Sequence, residues 1–304
     1  MRAAVAGATG FIGRRLVPAL LANGDEVRCL VRNAERAGDL SADGAELAIA
    51  DLAGSPDLDR ALTDVDVAYY LVHMMSEPGY AKAELAAASS FAEAAGRAGV
   101  DRVVYLGGLG DDANASPHLR SRHATAQALA AHGPPLTYFR AAMVIGAGSE
   151  SFVLLKAIAE RMPFVPAKDW LRHRTQPIGV REVIRYLRDA PAVTASRGRE
   201  VQIGAPRIYT HLELVDLMAR ELGRRSKRKV PLFGATPGVV SAGAAIVTRG
   251  DQRVAAELTL SLAQDTIVTD PSGAVPFEIV AEPIPVALHR ALEEEERQLE
   301  AVSS

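Results

Sequence analysis

Short apolar runs alternate with amphipathic stretches over the first half of this chain. The runs are rich in Ala, Val, Leu and Tyr, which is typical of buried strands, and the stretches between them repeat apolar residues at helical spacing. Strands that alternate with helices in this way predict an α/β fold with a doubly wound parallel sheet. The predicted strands are Ala3–Ala6, Glu26–Val31, Glu46–Ala50, Val67–Val72, Arg102–Leu106 and Leu136–Ala141.

The alternation stops beyond Gly146. Helical spacing returns in separate segments, one of which opens with Thr210 followed three residues later by Glu213, a capping box. One further short apolar run is long enough to add a strand to the sheet. The predicted elements of this half are helices Phe152–Arg161, Gly179–Leu187 and Thr210–Leu222 and a strand Val201–Ile203.

This change of pattern predicts two structural units. We expect residues 1–150 to form the core, with residues 176–204 returning to it. Residues 151–175 and 205–304 are expected to form a smaller α+β lobe. Because ligands bind at the carboxyl ends of the strands in such sheets, we expect the lobe to fold over that edge.

A glycine motif joins the first strand to the first helix. Gly7, Gly10 and Gly13 follow the strand at GxxGxxG spacing, and helical periodicity begins at Phe11. Gly7 permits a tight turn, Gly10 lets the backbone approach a pyrophosphate, and Gly13 allows the helix to pack closely. The pyrophosphate would then lie on the free N–H groups of the helix terminus. The motif predicts a Rossmann-type dinucleotide-binding unit.

Arginines stand where the adenosine ribose of a dinucleotide is expected. Arg32 ends the second strand, at a place where an acidic residue would bind a free 2′-hydroxyl. Arg14 and Arg15 follow the glycine turn. A guanidinium fork is suited to a phosphate, so these residues favour NADP(H) over NAD(H). The alternative for Arg32 is a solvated surface arginine.

Further cofactor contacts are expected along the same edge of the sheet. Asp51 follows the third strand, where its carboxylate either accepts a hydrogen bond from the adenine amino group or caps a helix. The complete set of predicted cofactor contacts is Gly7, Thr9, Gly10, Phe11, Ile12, Gly13, Arg14, Arg32, Asp51, Leu52, Leu71, His73 and Gly107.

Composition excludes several classes of function. A net charge of −3 over 304 residues gives no general attraction to nucleic acid. The single cysteine, Cys29, excludes an internal disulfide and is consistent with a cytoplasmic protein. The longest apolar stretch, Pro237–Val247, is shorter than the ~20 residues that span a bilayer, so we expect no membrane insertion. The basic cluster between Arg220 and Lys229 is interpreted as a solvated helix end, with a partner or phosphate site as the alternative.

Other chemistries lack their motifs. The seven histidines are scattered without metal-ligand spacing, and neither HExxH nor paired cysteines occur, so no metal site is predicted. The sequence GAGSESF is not a GxSxG nucleophile elbow, and GxxxxGK[ST] is absent.

Longer segments resemble a known family. GATGFIGRRLVPALLANGDEVRCLVR, Asp51-Leu52 and VVYLGGLG together resemble the short-chain dehydrogenase/reductase superfamily. FRAAMVIGAGSESF and RTQPIGVREVIRYL are similar to its atypical, NmrA-like branch of NAD(P)H-binding proteins, which includes the accessory NADPH-binding subunit of respiratory complex I. The resemblance covers most of residues 1–190 and implies a Rossmann-type fold and NAD(P)H binding.

The chain departs from the family at its catalytic residues. The resemblance implies a serine after the fifth strand and a Tyr-x-x-x-Lys pair on the next helix, where the tyrosine transfers a proton and the lysine holds the ribose. Here the serine position reads Gly107-Gly108, and the pair aligns with His118 and Arg122 in SPHLRSRHATA. The four-residue spacing is retained, while both side chains differ.

Two hypotheses follow from that departure. In the first, the protein reduces a small carbonyl, enone, quinone or imine with NADPH, and His118 replaces tyrosine as the proton donor while Arg122 supplies the positive charge. In the second, it binds NADP(H) without hydride chemistry, as a redox sensor, regulator or assembly protein. His118 would then be an ordinary polar residue in the first turn of a helix. His73 is an alternative donor, or else a histidine at the edge of the core.

Substrate contacts are expected after the sixth strand. Arg140, Ser149 and Ser151 lie where that strand opens towards the nicotinamide, which makes them candidates for contacts with a small-molecule substrate. Relatives in this family pair through the helices that correspond to Tyr80–Ala98 and His118–Ala131. The alanine-rich faces here are consistent with either a monomer or a homodimer.

Overall fold

The structure, a computed structural model, describes most of the chain. Two short strands within it, Phe164–Pro166 and Arg228–Val230, are described by their backbone only. The described residues are 1–53, 56–74, 79–110, 115–162, 164–166, 172–226, 228–230, 262 and 264–303. The apolar stretch Pro237–Val247 and Lys227 of the basic cluster lie outside these residues.

A parallel sheet of seven strands forms the centre of the molecule. Its order is β11-β6-β5-β4-β1-β2-β3, and three short two-stranded pairs, β10-β7, β12-β9 and β13-β8, lie outside it. The strands are β1 (Arg2–Ala6), β2 (Glu26–Val31), β3 (Glu46–Ile49), β4 (Val67–Tyr70), β5 (Arg102–Gly108), β6 (Leu136–Ala141), β7 (Val144–Ile145), β8 (Phe164–Pro166), β9 (Arg174–Thr175), β10 (Ile178–Gly179), β11 (Glu200–Ile203), β12 (Tyr209–Thr210) and β13 (Arg228–Val230).

Helices cover both faces of this sheet. The α-helices among the described residues are α1 (Gly13–Ala22), α2 (Gly38–Ala42), α3 (Pro56–Ala61), α4 (Tyr80–Arg97), α5 (Pro117–His132), α6 (Glu150–Arg161), α7 (Val180–Asp189), α8 (His211–Glu221) and α9 (Ile284–Ser303). The predicted Rossmann-type α/β fold is therefore confirmed.

All six predicted strands are present, and the run at Val201 adds the seventh as β11 beside β6. The ends differ by one or two residues, as expected for boundaries predicted from sequence. Helix α1 continues through Pro18. This residue points to solvent while Leu16, Val17 and Leu20 are buried against the sheet, so the lost hydrogen bond lies on the exposed side of the helix.

Two apolar layers enclose the sheet. On one face, α1 and α7 pack on the strands through residues such as Leu16, Val183 and Tyr186. On the other face, α4 and α5 pack together and bury Phe91 and Leu129. Because both faces are covered, the strands read as continuous apolar runs rather than alternating ones.

A third apolar cluster lies away from the sheet. It joins α6, α8 and α9 through Phe152, Leu214, Met218 and Leu288, each of which is buried. The predicted capping box of α8 is present, since the Thr210 side chain accepts from the Glu213 backbone N–H and Glu213 accepts from that of Thr210. Within the part of the chain that is described, no helix has the length and apolarity needed to cross a membrane.

His211 is buried in this third cluster at 6% exposure. Neither of its ring nitrogens has a hydrogen-bond partner among the described residues. Burial, followed by the nearby His173, lowers the pKa of His211 to about 4, while Asp265 opposes that shift. An unfolded histidine titrates near pH 6.5, so between these values the unfolded chain binds the additional proton.

We therefore expect stability to fall as the pH drops below 6.5, with His211 contributing about 2–3 kcal/mol of the loss by pH 4.5. Urea unfolding of the wild type and His211→Leu at pH 7 and pH 4.5 measures this, and the variant should lose less stability in acid. His132→Leu replaces an exposed histidine at the end of α5 and serves as the matched control. An equal acid loss in the wild type and His211→Leu would contradict the prediction.

Candidate functional site

A cleft of about 630 Å³ opens where the strand order changes direction. Strand β1 lies between β2 and β4, so successive connections leave to opposite sides of it. The loops after β1 and β4 separate at this point, and ligands of doubly wound sheets bind in that crevice. Gly7 from the first loop and Leu71 from the second both line the cleft.

The three glycines of the motif have different surroundings. Gly7 has a φ of +82°, and a Cβ there would lie 2.6 Å from the carbonyl oxygen of Leu71. A Cβ on Gly13 would lie 2.3 Å from the carbonyl oxygen of Gly7. A Cβ on Gly10, by contrast, would have one atom of the described residues within 4 Å, the carbonyl oxygen of Gly7 at 3.3 Å. Gly7 and Gly13 therefore build the turn, while Gly10 leaves open space beside it.

This open space is suited to a pyrophosphate. Helix α1 begins beside it, with no side-chain cap on its N-terminus and no acidic residue in its first turn. The positive end of the helix is therefore not neutralised by a side chain of that turn. The backbone N–H groups of Phe11 and Ile12 would hold the phosphates, while the N–H of Gly10 donates to the carbonyl of Gly7 at 3.0 Å. The predicted cofactor residues that line the cleft are Gly7, Thr9, Gly10, Phe11, Ile12, Arg32, Asp51, Leu52, Leu71, His73 and Gly107.

The three arginines considered for a 2′-phosphate differ in their partners. Arg14 does not line the cleft; it forms an ion pair with Asp39 and donates to the carbonyl of Thr9 at 3.1 Å. Arg15 pairs with Glu294 and donates to the carbonyl of Ala147 at 2.8 Å, which ties the glycine turn to α9. Arg32 is exposed, lines the cleft and makes no hydrogen bond or ion pair with any described residue.

Asp51 lies on the same side of the cleft, after β3. Its Oδ1 accepts a hydrogen bond from the backbone N–H of Ala53 at 3.0 Å. The carboxylate therefore stabilises the turn that follows β3. Of the two roles predicted for Asp51, the capping role is seen at this turn and not at the start of a helix. Its side chain remains exposed to the cleft.

A polar cluster stands on the other side of β1, beyond β4. The rings of His73 and His118 lie 5.0 Å apart between centroids, and both residues line the cleft with Arg122. Arg122 donates to the carbonyl of Leu106, and its guanidinium lies 5.1 Å from the ring centroid of Tyr105. The structure thus brings together the aligned His118–Arg122 pair and the alternative donor His73.

His118 is a neutral imidazole in this cluster. Burial, followed by His73 and Arg122, lowers the pKa of His118 to about 3. Its Nδ1 is buried and has no hydrogen-bond partner among the described residues. At neutral pH the ring is therefore not an imidazolium. Any proton that His118 donates would have to come from the N–H group of the neutral imidazole.

Packing explains the missing serine after the fifth strand. A Cβ on Gly107 would lie 2.7 Å from the ring of Tyr138, and one on Gly108 would lie 2.2 Å from Leu119 Cδ2. Side chains from β6 and α5 therefore occupy the space that a serine would need. A serine at either position would require these side chains to shift.

Of the three predicted substrate contacts, Arg140 lies outside the cleft. It does not line the cleft and is 6% exposed. Its guanidinium donates to the carbonyls of Gly108 and Gly110 at 3.1 and 2.5 Å and to Glu200 at 3.1 Å. These bonds hold the end of β5 against β6 and β11, because the side chain points along the sheet edge rather than into the cleft.

The two serines do line the cleft. Ser149 caps α6, since its hydroxyl accepts from the Phe152 N–H at 3.1 Å and donates to the Val144 carbonyl at 2.8 Å. The hydroxyl hydrogen of Ser149 is thus already donated within the protein. Ser151 is half-buried in the first turn of the same helix.

Two residues of the polar cluster were not among the predicted ones. Glu84 on α4 and Ser121 on α5 are buried, and the Ser121 hydroxyl donates to Glu84 Oε2 at 2.6 Å. The sequence does carry a signal for Glu84, since it precedes Ala88, Phe91 and Ala95 at spacings of one buried helix face. A charge in that position predicts a buried partner. The described residues contain no group of three or more His, Cys, Asp or Glu that could hold a metal.

Comparisons with known proteins agree with this geometry. A family described as NAD(P)H-binding matches residues 7–143. The uncharacterized sugar epimerase YhfK of Bacillus subtilis is 34% identical over 114 residues, which are 36% of this chain and 53% of that protein. The chain thus spans about half the length of that curated relative.

Solved structures share the fold along almost the whole chain. The triphenylmethane reductase of Citrobacter sp. superposes with a TM-score of 0.73 at 19% identity, over 96% of this chain and 100% of that one. The NADPH-dependent quinone oxidoreductase QOR2 of Escherichia coli, complexed with NADPH, superposes with a TM-score of 0.73 at 18% identity, over 94% and 98%. Residues 7–143 are therefore similar to an NAD(P)H-binding family, in a chain that shares its fold with these two reductases.

Proposed function

We propose that this protein is an NADP(H)-dependent oxidoreductase that reduces a small carbonyl, enone, quinone or imine. The observation that carries the proposal is one continuous cleft, in which an open glycine turn follows β1, the exposed Arg32 lies on one side of that strand, and the cluster of His73, His118 and Arg122 lies on the other. The first part of the cleft, with the glycine turn and Arg32, is suited to a phosphorylated dinucleotide. The second part, with the histidines and Arg122, is suited to the polar group of a substrate. The NADPH-dependent activity named for one structural neighbour is of the same class.

The residues of the first part would select the dinucleotide. The N–H groups of Phe11 and Ile12 bind its pyrophosphate in the space that Gly10 leaves, and Arg32 binds the 2′-phosphate with its guanidinium. Asp51 and Leu52 contact the adenine side. When bound, NADPH supplies a hydride.

The residues of the second part would bind and orient the substrate. His118 and Arg122 contact its polar group, and Ser151 on α6, which also lines the cleft, contacts it as well. The guanidinium of Arg122 donates to a backbone carbonyl and forms no ion pair with a carboxylate of the described residues, so it is available to a substrate in the cleft. We propose that α6, α8 and α9, which belong to the described parts of residues 151–175 and 205–304, form the lobe beside this pocket.

Calorimetric titration with NADPH and NADH tests the cofactor. We expect NADPH to bind at least about tenfold more tightly, because Arg32 adds a charged hydrogen bond to the 2′-phosphate. A panel of carbonyl, quinone and imine compounds, followed by loss of NADPH absorbance, then tests the reaction. Failure to bind either nucleotide contradicts the whole proposal.

The titration and the substrate panel together distinguish an oxidoreductase from the alternative, a protein that binds NADP(H) without catalysing hydride transfer. Tight NADPH binding with no turnover on a broad panel would support a sensor, regulator or assembly protein. Turnover on any member of the panel excludes it.

A further inference from the structure

Glu84 is a buried acid whose two oxygens face the polar cluster of the cleft. It is 2% exposed and accepts three hydrogen bonds from described residues. His73 Nδ1 and the backbone N–H of Met74 each lie 2.9 Å from Oε1, and Ser121 Oγ lies 2.6 Å from Oε2. Burial opposes ionisation, but the donors from His73, Ser121 and Met74 outweigh it and lower the pKa of Glu84 to about 2. Glu84 is therefore a carboxylate.

An ionised carboxylate accepts hydrogen bonds and cannot donate them. Nδ1 of His73 must then carry the hydrogen, and in the neutral ring Nε2 keeps its lone pair. The His73 side chain is 28% exposed and lines the cleft. Among the described residues, Glu84, Arg122 and His118 are the titratable or charged groups that act on the ring. Burial and Arg122 lower the pKa of His73, while Glu84 opposes that change.

We propose that His73 is the acid–base residue of this cleft, and that Glu84 is the positioning residue that holds it in the Nδ1–H tautomer with Nε2 towards the substrate. This inference rests on the proposed oxidoreductase function. It assigns proton transfer to the pair His73–Glu84 rather than to His118, because Glu84 would stabilise an imidazolium at His73, whereas the buried Nδ1 of His118 has no partner among the described residues.

The proton balance follows from the tautomer. During oxidation of an alcohol, the hydroxyl proton moves to His73 Nε2, the carbon gives its hydride to the oxidised dinucleotide, and the carbonyl bond forms. Glu84 stabilises the resulting imidazolium through Nδ1–H. During reduction, the carbonyl carbon gains the hydride from NADPH, the oxygen takes the Nε2 proton, and His73 returns to its neutral form.

The pH dependence has opposite signs in the two directions. Reduction uses the imidazolium, so its rate falls by about tenfold for each pH unit above the pKa of His73. Oxidation uses the neutral ring, so its rate rises with pH and reaches a plateau above that pKa.

NMR of the ring nitrogens of ¹⁵N-histidine-labelled protein tests the assignment without cofactor or turnover. We expect the Nδ1–H tautomer for His73 in the wild type. Glu84→Gln should lower the pKa of His73 by about one unit or more, because an opposite charge in contact is removed. The control Glu93→Gln makes the same change at an exposed position of α4 and should leave His73 unchanged.

An Nε2–H tautomer in the wild type would overturn the proposal. This measurement uses the wild type alone, so it does not depend on whether Glu84→Gln folds. An unchanged His73 pKa in Glu84→Gln would overturn it as well. Glu84→Asp, which keeps the charge on a shorter side chain, should retain more of the wild-type pKa than Glu84→Gln does.

Kinetics then separates this inference from the proposed function. His73→Ala should lower reduction by about 100-fold and remove its pH-dependent limb, while His118→Ala should retain the limb. The reverse pattern, with the limb lost in His118→Ala, assigns the proton to His118 and overturns the inference. A protein that binds no dinucleotide refutes the proposed function, whereas the tautomer and pKa of His73 are still measured.

Discussion

Gly13→Ala is expected to lose dinucleotide binding and to unfold at a lower temperature. The added Cβ would lie 2.3 Å from the carbonyl oxygen of Gly7 and 2.6 Å from the backbone of Ala8. Neither backbone atom can rotate away, so the glycine turn must move relative to α1. We expect a cost of about 3 kcal/mol from this overpacking, and NADPH binding at least about 100-fold weaker because the N–H groups of the turn are displaced.

Two other glycines control this result. Gly10→Ala places its Cβ in the open space of the cleft, so it should weaken NADPH binding with little change in thermal stability. Gly38→Ala lies in the first turn of α2, with no described atom within 4 Å of its Cβ, and should change neither property for the worse. Thermal melting and calorimetry on the three variants measure both effects. A Gly13→Ala protein with wild-type stability and affinity would contradict the packing described for the turn.

Arg32→Ala is expected to abolish the preference for NADPH over NADH. Its guanidinium lines the cleft after β2 and has no partner among the described residues, so nothing in that part of the chain competes for it. A charged hydrogen bond of about 1.5–3 kcal/mol to the 2′-phosphate corresponds to about 10- to 100-fold in affinity. NADPH should weaken by that factor, while NADH, which lacks the phosphate, should change by less than about threefold.

Arg14→Ala is the matched control for Arg32→Ala. Arg14 is already paired with Asp39 outside the cleft, so its removal should affect NADPH and NADH equally and weakly. Arg32→Lys keeps the charge but loses the fork and should lie between the wild type and Arg32→Ala. Equal losses for both dinucleotides in Arg32→Ala would exclude its contact with the 2′-phosphate.

The glycine turn and the sheet were predictable because they depend on neighbouring residues. A strand, a residue with positive φ and a helix start follow one another within Met1–Gly13, and each step is governed by local backbone sterics. The parallel sheet follows from the alternation of strands and helices, and its crossover places the ligand cleft. Residues at the ends of β1, β2, β3 and β4 that line this cleft were therefore predictable from position alone.

The partners of charged side chains were not predictable in the same way. Arg140 follows the sequence pattern of a substrate contact, yet Glu200 and two backbone carbonyls hold it along the sheet edge. Arg15 meets Glu294, from the far end of the chain, on α9. Such pairs join residues separated by many positions, and no local rule states which of several carboxylates a guanidinium will meet.

The sequence by itself determined that this chain builds a dinucleotide-binding α/β core, because strand, turn and helix signals act over a few residues and agree with one another. Only the tertiary structure decided which groups surround the reacting end of the cleft. It placed Glu84 of α4 and Ser121 of α5 beside His73, and Tyr138 where a serine side chain would stand. These contacts depend on how the helices pack on the sheet, and they fix the ionisation and tautomer that the side chains adopt.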